Sequence, residues 1–448
     1  MHTDFLTERF AQRADATAVI APGARCTFRE LRALIDRWIG EIDRKDLRPG
    51  AVVGLEGEFS PNSIALFLAL AERGAILAPE SRARRAGRAE REALAQVEAR
   101  FAVDESDDVR FQRSGRVASH ELYDELRGRG HPGLVQCSSG TTGQPKAAVH
   151  DLTLLLEKFR VERPALTTLA FMVFDHLGGI NTTLHTLSNG ALLVAPGERS
   201  PATVCRLVEE HRIELLPATP TFLNLLLLGG AHRAHDMSSL RVISYGAEPM
   251  PAATLARLRE AFPGVRLQQT YGMIELGAMR TKSRADGSLW LKVGGEGYET
   301  RVVDGMLQVR ARSLLLGYLN APTPITADGW FETGDMVEQD GEYVRFLGRD
   351  SDLINVGGEK LYPAEVEGVI ESLDEVAEAT VYGEPNGLVG QIVCATVRPA
   401  GAIDEARLVA TVKRHCRERL ERFKVPVRVR VTAERQFGSH YKKQRRSG

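Results

Sequence analysis

Short apolar, β-branched runs alternate with helical patterns along much of the chain. "ALLVAP" (191–196) precedes "PATVCRLVEEHRI", and "RVISYGA" (241–247) precedes "MPAATLARLREAF", in which Leu255, Leu258 and Phe262 recur at the spacing of one helix face. "VRLQQTYG" then returns to strand character. Strand and helix in alternation predict parallel sheets covered by helices. From about residue 300 the texture changes to short strands with Gly turns, "TRVVDGMLQVRA" and "WFETGDMVEQDGEYVRFLGRD". A last segment carries its own helix, "PAEVEGVIESL", with Pro363 suited to a first turn, and two strand-like runs, "EATVYGE" and "QIVCATVRP". These shifts place a domain boundary near Gly348 to Asp352. Residues 82–100, "RARRAGRAEREALAQVEAR", intersperse both charge signs and read as a solvated helix rather than a binding patch.

Composition narrows the partners. With 448 residues and 43% hydrophobic content, the chain is too large for one small core. Lys+Arg 58 against Asp+Glu 59 gives a formal net charge of -1, which supplies no global field for nucleic acid or an anionic membrane. The five cysteines are scattered and form no C-x-x-C, which argues against a disulfide framework or a zinc site and for a reducing, cytoplasmic setting. No apolar stretch approaches the ~20 residues of a membrane span, and the charged N-terminus shows no secretory h-region.

One loop carries candidate chemistry. "VQCSSGTTGQPKAAVH" (135–150) sets two Gly and four hydroxyls behind an apolar lead-in and ends the polar run with Pro-Lys. Glycines admit close backbone approach, and amide and hydroxyl donors together make a concave anion cradle. A Walker A loop needs a hydroxyl after its Lys; here Gly140 and Gly143 are followed by Gln144-Pro145-Lys146, so that comparison fails. Taken alone, the loop reads equally well as a phosphate cradle and as a polar surface loop.

Wider motifs separate the two readings. "SSGTTGQPK" resembles the phosphate loop of the adenylate-forming superfamily, which holds acyl- and aryl-CoA synthetases, nonribosomal peptide adenylation domains and firefly luciferase. "TYGMIELG" (270–277) resembles its Tyr-Gly-x-Thr-Glu motif, "GYLNAPTPITADGWFETGD" (317–335) its Gly-Trp-Phe-x-Thr-Gly-Asp motif, and "GRDSDLINVGGEKLYPAEVE" (348–367) its hinge and thiolation loop. The series runs in order from "TFRELRAL" (27–34) to "VYGEPNGLVGQIVCATVRP" (381–399).

The resemblance implies an α/β chain: a large N-terminal domain (1–348) of helix-covered, mostly parallel sheets plus a β-barrel-like part, and a small, mobile α+β C-terminal domain (349–448) hinged near 349–352. It implies an acid–thiol ligase that converts a carboxylic acid and ATP to acyl-AMP and pyrophosphate, then passes the acyl group to CoA. Transfer to a carrier-protein phosphopantetheine or to an amine, and a degenerate nucleotide-binding protein, stand as alternatives.

Residue by residue, Ser138, Ser139, Gly140, Thr141, Thr142, Gly143 and Lys146 match the phosphate-holding positions. Gly246, Ala247 and Glu248 match the strip along one face of adenine, and Tyr271, Gly272 and Met273 the segment on its other face, with Tyr271 stacking. Glu275 matches the Mg²⁺ ligand, and Asp335 with Arg349 the ribose site. Phe174, His176, Leu177, Gly178 and Gly179 match the acid pocket, with His176 as gate. Asp175 precedes that His and Leu177 follows it, where amino-acid-activating relatives carry Asp, so an apolar acyl or aryl acid is expected. Gly357, Gly358, Glu359 and Lys360 match the thiolation loop. Three positions depart from the pattern. Ile274 replaces a Thr, which removes a hydroxyl contact of about 1.5–3 kcal/mol near the α-phosphate. Ser351 stands at the hinge. The C-terminal Gly-Lys motif survives as "FGSHYKKQRR", with Lys442 in the catalytic slot, Lys443 as the fallback, and a merely basic tail as the alternative.

Overall fold

A computed structural model describes residues 2–84, 86–138, 145–295, 297–438 and 443. Local signals start the elements. Thr27 caps the helix Phe28–Arg44 through a capping box with Glu30, and Phe28, Leu31, Ile35, Trp38 and Ile42 then fall on its buried face. Pro201, Pro220 and Pro363 each open a helix, where the missing N–H costs nothing.

The described residues form two large sheets, an antiparallel six-stranded sheet and a five-stranded C-terminal sheet, beside one short hairpin. In the first large sheet Arg266–Gln269, Val242–Tyr245 and Leu215–Ala218 lie side by side, followed by Thr168–Leu169, Leu193–Val194 and Thr17–Ala21. All of these pairs are parallel, and only the edge pairing of Thr17–Ala21 with Ala24–Thr27 is antiparallel. The second large sheet is mixed. Val52–Gly57 pairs in parallel with Ile76–Ser81 and Ala99–Val103, whereas Gly133–Ser138 pairs antiparallel with Lys146–Asp151. The six-stranded sheet, from Thr281–Ser283 to Tyr343–Arg349, has its own apolar core around Leu291, Leu307, Val309 and Phe331.

The segment 82–100 is not one solvated helix. Only Arg88–Leu94 is α-helical, after a 3-10 turn at Arg82–Arg84, and Ala99–Val103 is a strand. Arg91 is buried in an ion pair with Glu80, so charge interspersed in sequence here serves an internal pairing.

The last sheet packs Val376, Ala379, Val381, Val393, Ala395 and Val397 against Val366 and Ile370 of the helix Pro363–Ile370 and Leu408, Val412 and Cys416 of the helix Glu405–Arg419. This core shares no buried apolar residue with the others. Polar contacts hold it on the larger part: Asn224 Nδ2 donates to the Ala377 carbonyl at 3.2 Å, and Arg257 Nη2 to the Glu371 carbonyl at 3.3 Å. No helix among the described residues is long and apolar enough to cross a membrane.

Candidate active site

The strand Lys146–Asp151 emerges from the phosphate loop and pairs with Gly317–Tyr318, which sets Tyr318 opposite Ala148 and brings its ring near the start of the strand. The Lys146 ammonium lies 5.4 Å from the centre of that ring. Asn320 fixes the same end, accepting from the Ala147 amide at 3.1 Å and donating to the Pro145 carbonyl at 2.8 Å. The Tyr318 hydroxyl donates to Glu275 Oε1 in a short hydrogen bond. Glu275 sits in the turn between Tyr271–Met273 and Gly277–Met279, where Gly272 is required because a Cβ would come 2.6 Å from the Gly277 carbonyl oxygen. A cation, a phenol and a carboxylate from three distant segments are thus in line.

A second cluster adjoins it. Asp335 and Arg349 face each other across the strands Phe331–Asp340 and Tyr343–Arg349. Arg349 Nε donates to Asp335 Oδ1 at 2.8 Å and Nη1 to the Thr333 carbonyl at 3.1 Å, while the Tyr271 hydroxyl donates to Asp335 Oδ2 at 2.7 Å. Burial, then the Asp335 carboxylate, holds the Tyr271 phenol well above its usual range, so it stays a donor. Burial works against the Arg349 charge, but the Asp335 and Glu275 carboxylates outweigh it. The Tyr271 ring is itself stacked on Phe346, 4.5 Å between centres at 24°, which leaves at most one face for a base.

The strip after strand Val242–Tyr245 is set by close approach. A Cβ on Gly246 would lie 2.4 Å from Thr270 Oγ1, and Ala247 is held at φ +70°, a conformation that costs a non-glycine residue on the order of 1 kcal/mol or more. Glu248 Oε1 accepts from the Thr221 amide at 2.7 Å, and its Oε2 from the Lys443 amide at 3.3 Å. Met273 is half-buried beside the six-stranded sheet's core, and so is Ile274, whose carbonyl accepts from His150 Nε2 at 2.7 Å. The position of the absent Thr is filled by apolar packing.

On the acid side, His176 caps the helix Leu177–Ser188 by accepting from the Gly178 amide at Nδ1, 3.0 Å, which leaves its proton on Nε2. Leu177 is buried at the same helix start. Gly179 answers to packing: a Cβ there would meet the Val173 carbonyl oxygen at 2.2 Å. Phe174 belongs to the interior, edge-on to Phe59 at 5.3 Å and lining an apolar cavity with Phe10, Phe67, Ile180 and Leu184. Asp175 is buried and reaches Arg84 at 3.5 Å, and Arg84 also donates to the Cys137 carbonyl at 3.0 Å, tying this segment to the strand that enters the phosphate loop.

Lys146, Glu275, Tyr271, Asp335 and Arg349 are therefore brought together. Ser138 lies at the end of its strand. Ser139, Gly140, Thr141, Thr142, Gly143 and Lys442 lie outside the described residues. Lys443 is described, and its ammonium is engaged by Glu367 and Glu371 at 3.3 and 2.6 Å. Gly357, Gly358, Glu359 and Lys360 form an exposed hairpin turn, in which the Gly357 amide donates to the Val389 carbonyl and the Gly358 amide to Asn355 Oδ1. Tyr318, Asn320 and Phe346 escaped the sequence reading. Tyr318 and Asn320 sit within 317–335, and their closeness to Lys146 arises only in the fold.

Among the described residues no group of three or more His, Cys, Asp or Glu is placed to hold a metal ion. Glu275 is a single carboxylate whose Oε2 has no hydrogen bond among the described residues, which suits a cation held chiefly by a substrate's phosphate oxygens.

Comparisons with known proteins show the family. The sequence profile of "AMP-binding enzyme" matches residues 6–309, and that of "AMP-binding enzyme C-terminal domain" residues 365–436. An indoleacetate–CoA ligase of Aromatoleum aromaticum is 28% identical, over 92% of this chain and 90% of the relative. A feruloyl-CoA synthase of an Amycolatopsis species is 28% identical, over 93% and 92%. The crystal structure of an anthranilate CoA ligase in complex with anthranoyl-AMP superposes with a TM-score of 0.84 at 22% identity, covering 99% of this chain and 95% of that one. The chain belongs to the family of AMP-binding enzymes, with that family's C-terminal domain at its end.

Proposed function

We propose that the protein is an AMP-forming acid–CoA ligase that activates an aryl or other apolar carboxylic acid with ATP and then transfers the acyl group to the thiol of CoA. The observation that carries this reading is the convergence of Lys146, Tyr318 and Glu275 on one side and Asp335, Arg349 and Tyr271 on the other, donors and cations next to an acceptor pair. Such a site suits a nucleoside triphosphate. The loop from Ser138 to Lys146 receives the β- and γ-phosphates, and Asp335 accepts the ribose hydroxyl protons. Arg349, paired with Asp335, fixes that carboxylate. Glu275 would hold Mg²⁺ together with phosphate oxygens, and the ion would supply compensation for the negative charge of the leaving pyrophosphate. Lys442 meets the acid carboxylate and the α-phosphate in the first half-reaction. The small domain, 349–448, then turns about 349–352 to bring Gly357–Lys360 to the site, with His176 opening the path for the thiol.

The acid is proposed to be aryl because the segment 174–180 carries Phe174, Leu177 and Ile180 without a carboxylate after His176, and because the relatives at 28% identity are ligases of indoleacetate and feruloyl groups. The test is ATP–pyrophosphate exchange with indoleacetate, ferulate, anthranilate and benzoate, followed by addition of CoA. Exchange with an aryl acid and CoA-dependent release of AMP are expected. Exchange without consumption of the adenylate by CoA would move the second step to a carrier-protein thiol or an amine. ATP binding without exchange on any acid would overturn the reading in favour of a nucleotide-binding protein.

A further inference from the structure

Lys443 occupies a setting that the enzymatic reading does not use. Its side chain is largely buried, and Nζ lies 2.6 Å from Glu371 Oε1 and 3.3 Å from Glu367 Oε2. The two carboxylates stand four residues apart, at the end of the helix Pro363–Ile370, on one face. Each also holds the neighbouring strand: Glu367 Oε1 accepts from the Val381 amide at 3.0 Å, Glu371 Oε1 from the Ala379 amide at 3.1 Å. Burial raises the Glu371 carboxyl, and the Glu367 charge adds to that, so the pair needs a cation between its members. Burial opposes the Lys443 charge, but Glu367, Glu371 and Glu248 outweigh it and keep the ammonium protonated.

The tail is held at two points. The Gln436 amide donates to Glu378 Oε2 at 2.7 Å, and Phe437 pairs antiparallel with Lys443. At Lys443 the side chain is bound to the small domain while the backbone amide touches Glu248, beside the Gly246-Ala247 strip. Lys442 is the adjacent residue in sequence.

We infer that Lys443 is a positioning residue, an anchor that fastens the C-terminal tail to Glu367 and Glu371 and so presents Lys442 for the first half-reaction. Catalysis by Lys443 itself is incompatible with this setting, because its ammonium is already neutralised by two buried carboxylates. Glu367, Glu371 and the tail belong to the same small domain, so the anchor travels with it, while the Lys443 amide to Glu248 contact, like Asn224 to Ala377 and Arg257 to Glu371, is made and broken as that domain turns. The inference rests on the adenylate-forming reading for its catalytic half and on geometry for the anchor.

The experiment has two readouts on the full-length protein. Hydrogen exchange at the amides of 436–443 reports the anchor without any substrate. Pyrophosphate exchange with indoleacetate or ferulate, beside thioester formation from the pre-made acyl-adenylate, reports the chemistry. Lys443→Ala is expected to speed amide exchange about 10-fold or more and to lower pyrophosphate exchange roughly 10- to 100-fold, with the KM for ATP and thioester formation little changed. The charge swap Lys443→Glu with Glu371→Lys keeps two carboxylates and one ammonium in the same pocket and is expected to restore both readouts. A swap that folds and regains tail protection but not pyrophosphate exchange would make Lys443 itself the catalytic lysine and overturn the inference. Unchanged amide exchange in Lys443→Ala would remove the anchor. Faster amide exchange with normal adenylation would remove its positioning role. Should the wild-type protein form no adenylate, the enzymatic reading fails, and the anchor still stands or falls on amide exchange.

Discussion

Asp335 serves two protein donors, Tyr271 and Arg349, before any nucleotide arrives. Asp335→Ala is therefore expected to weaken ATP binding about 10- to 100-fold by removing the ribose acceptor and loosening Arg349, while the fold persists, as isothermal titration and circular dichroism would show. Unchanged ATP affinity would take Asp335 out of the site. These residues were legible because their motifs stand in one run each. Tyr318 and Phe346 were not, since Tyr318 meets Glu275 43 residues away and Phe346 meets Tyr271 only after the six-stranded sheet has formed. His150 was invisible for the same reason. It is fully enclosed, donates to the Ile274 carbonyl, and burial pushes its imidazole down to about 4. An unfolded chain protonates that ring below about pH 6.5, whereas the folded one resists until about pH 4. Stability is thus full above the upper value and is lost as pH falls through the interval, by about 3 kcal/mol in all. Urea midpoints measured from pH 7 to pH 4.5 should fall more steeply for the wild type than for His150→Gln.

At the level of elements, periodicity located Pro201–His211, Ala252–Ala261 and Pro363–Ile370 well, because each carries its own cap or an apolar stripe. It failed at 82–100, where a helix of seven residues and a strand share one charged stretch, and a buried Arg91–Glu80 pair overrides the amphipathic rule. Likewise the expectation of mostly parallel sheets holds for the first large sheet and only in part for the second, since Gly133–Ser138 pairs antiparallel with Lys146–Asp151. The glycine pair of the acid-side helix separates packing from function. Gly179→Ala drives a Cβ into the Val173 carbonyl and should destabilise by about 1–3 kcal/mol, a fall of about 1–4 °C in Tm. Gly178→Ala meets the His176 ring at 3.0 Å and the flexible Met172 side chain at 3.8 Å, no backbone, and should change the kinetics with the acid more than Tm. Equal falls in Tm would show that both glycines are structural.

Across the whole molecule, polar contacts among the described residues join the two parts: Asn224 to the Ala377 carbonyl, Arg257 to the Glu371 carbonyl and to Asp374 at 3.9 Å, and Glu248 to the Lys443 amide. Each is worth about 1 kcal/mol net, so losing one biases the arrangement about 5-fold. Asn224→Ala should accordingly slow pyrophosphate exchange a few-fold and leave or raise the rate of thioester formation from supplied adenylate. A uniform loss in both steps would mean that Asn224 supports the fold rather than the balance between arrangements. The C-terminal core, from Ile354 to Cys416, keeps its buried apolar side chains to itself. For recombination between related genes this matters: a crossover placed within 349–352 severs no hydrophobic core among the described residues, so the parts before and after it can be inherited from different parents, provided the incoming part brings partners for Asn224, Arg257 and Glu248.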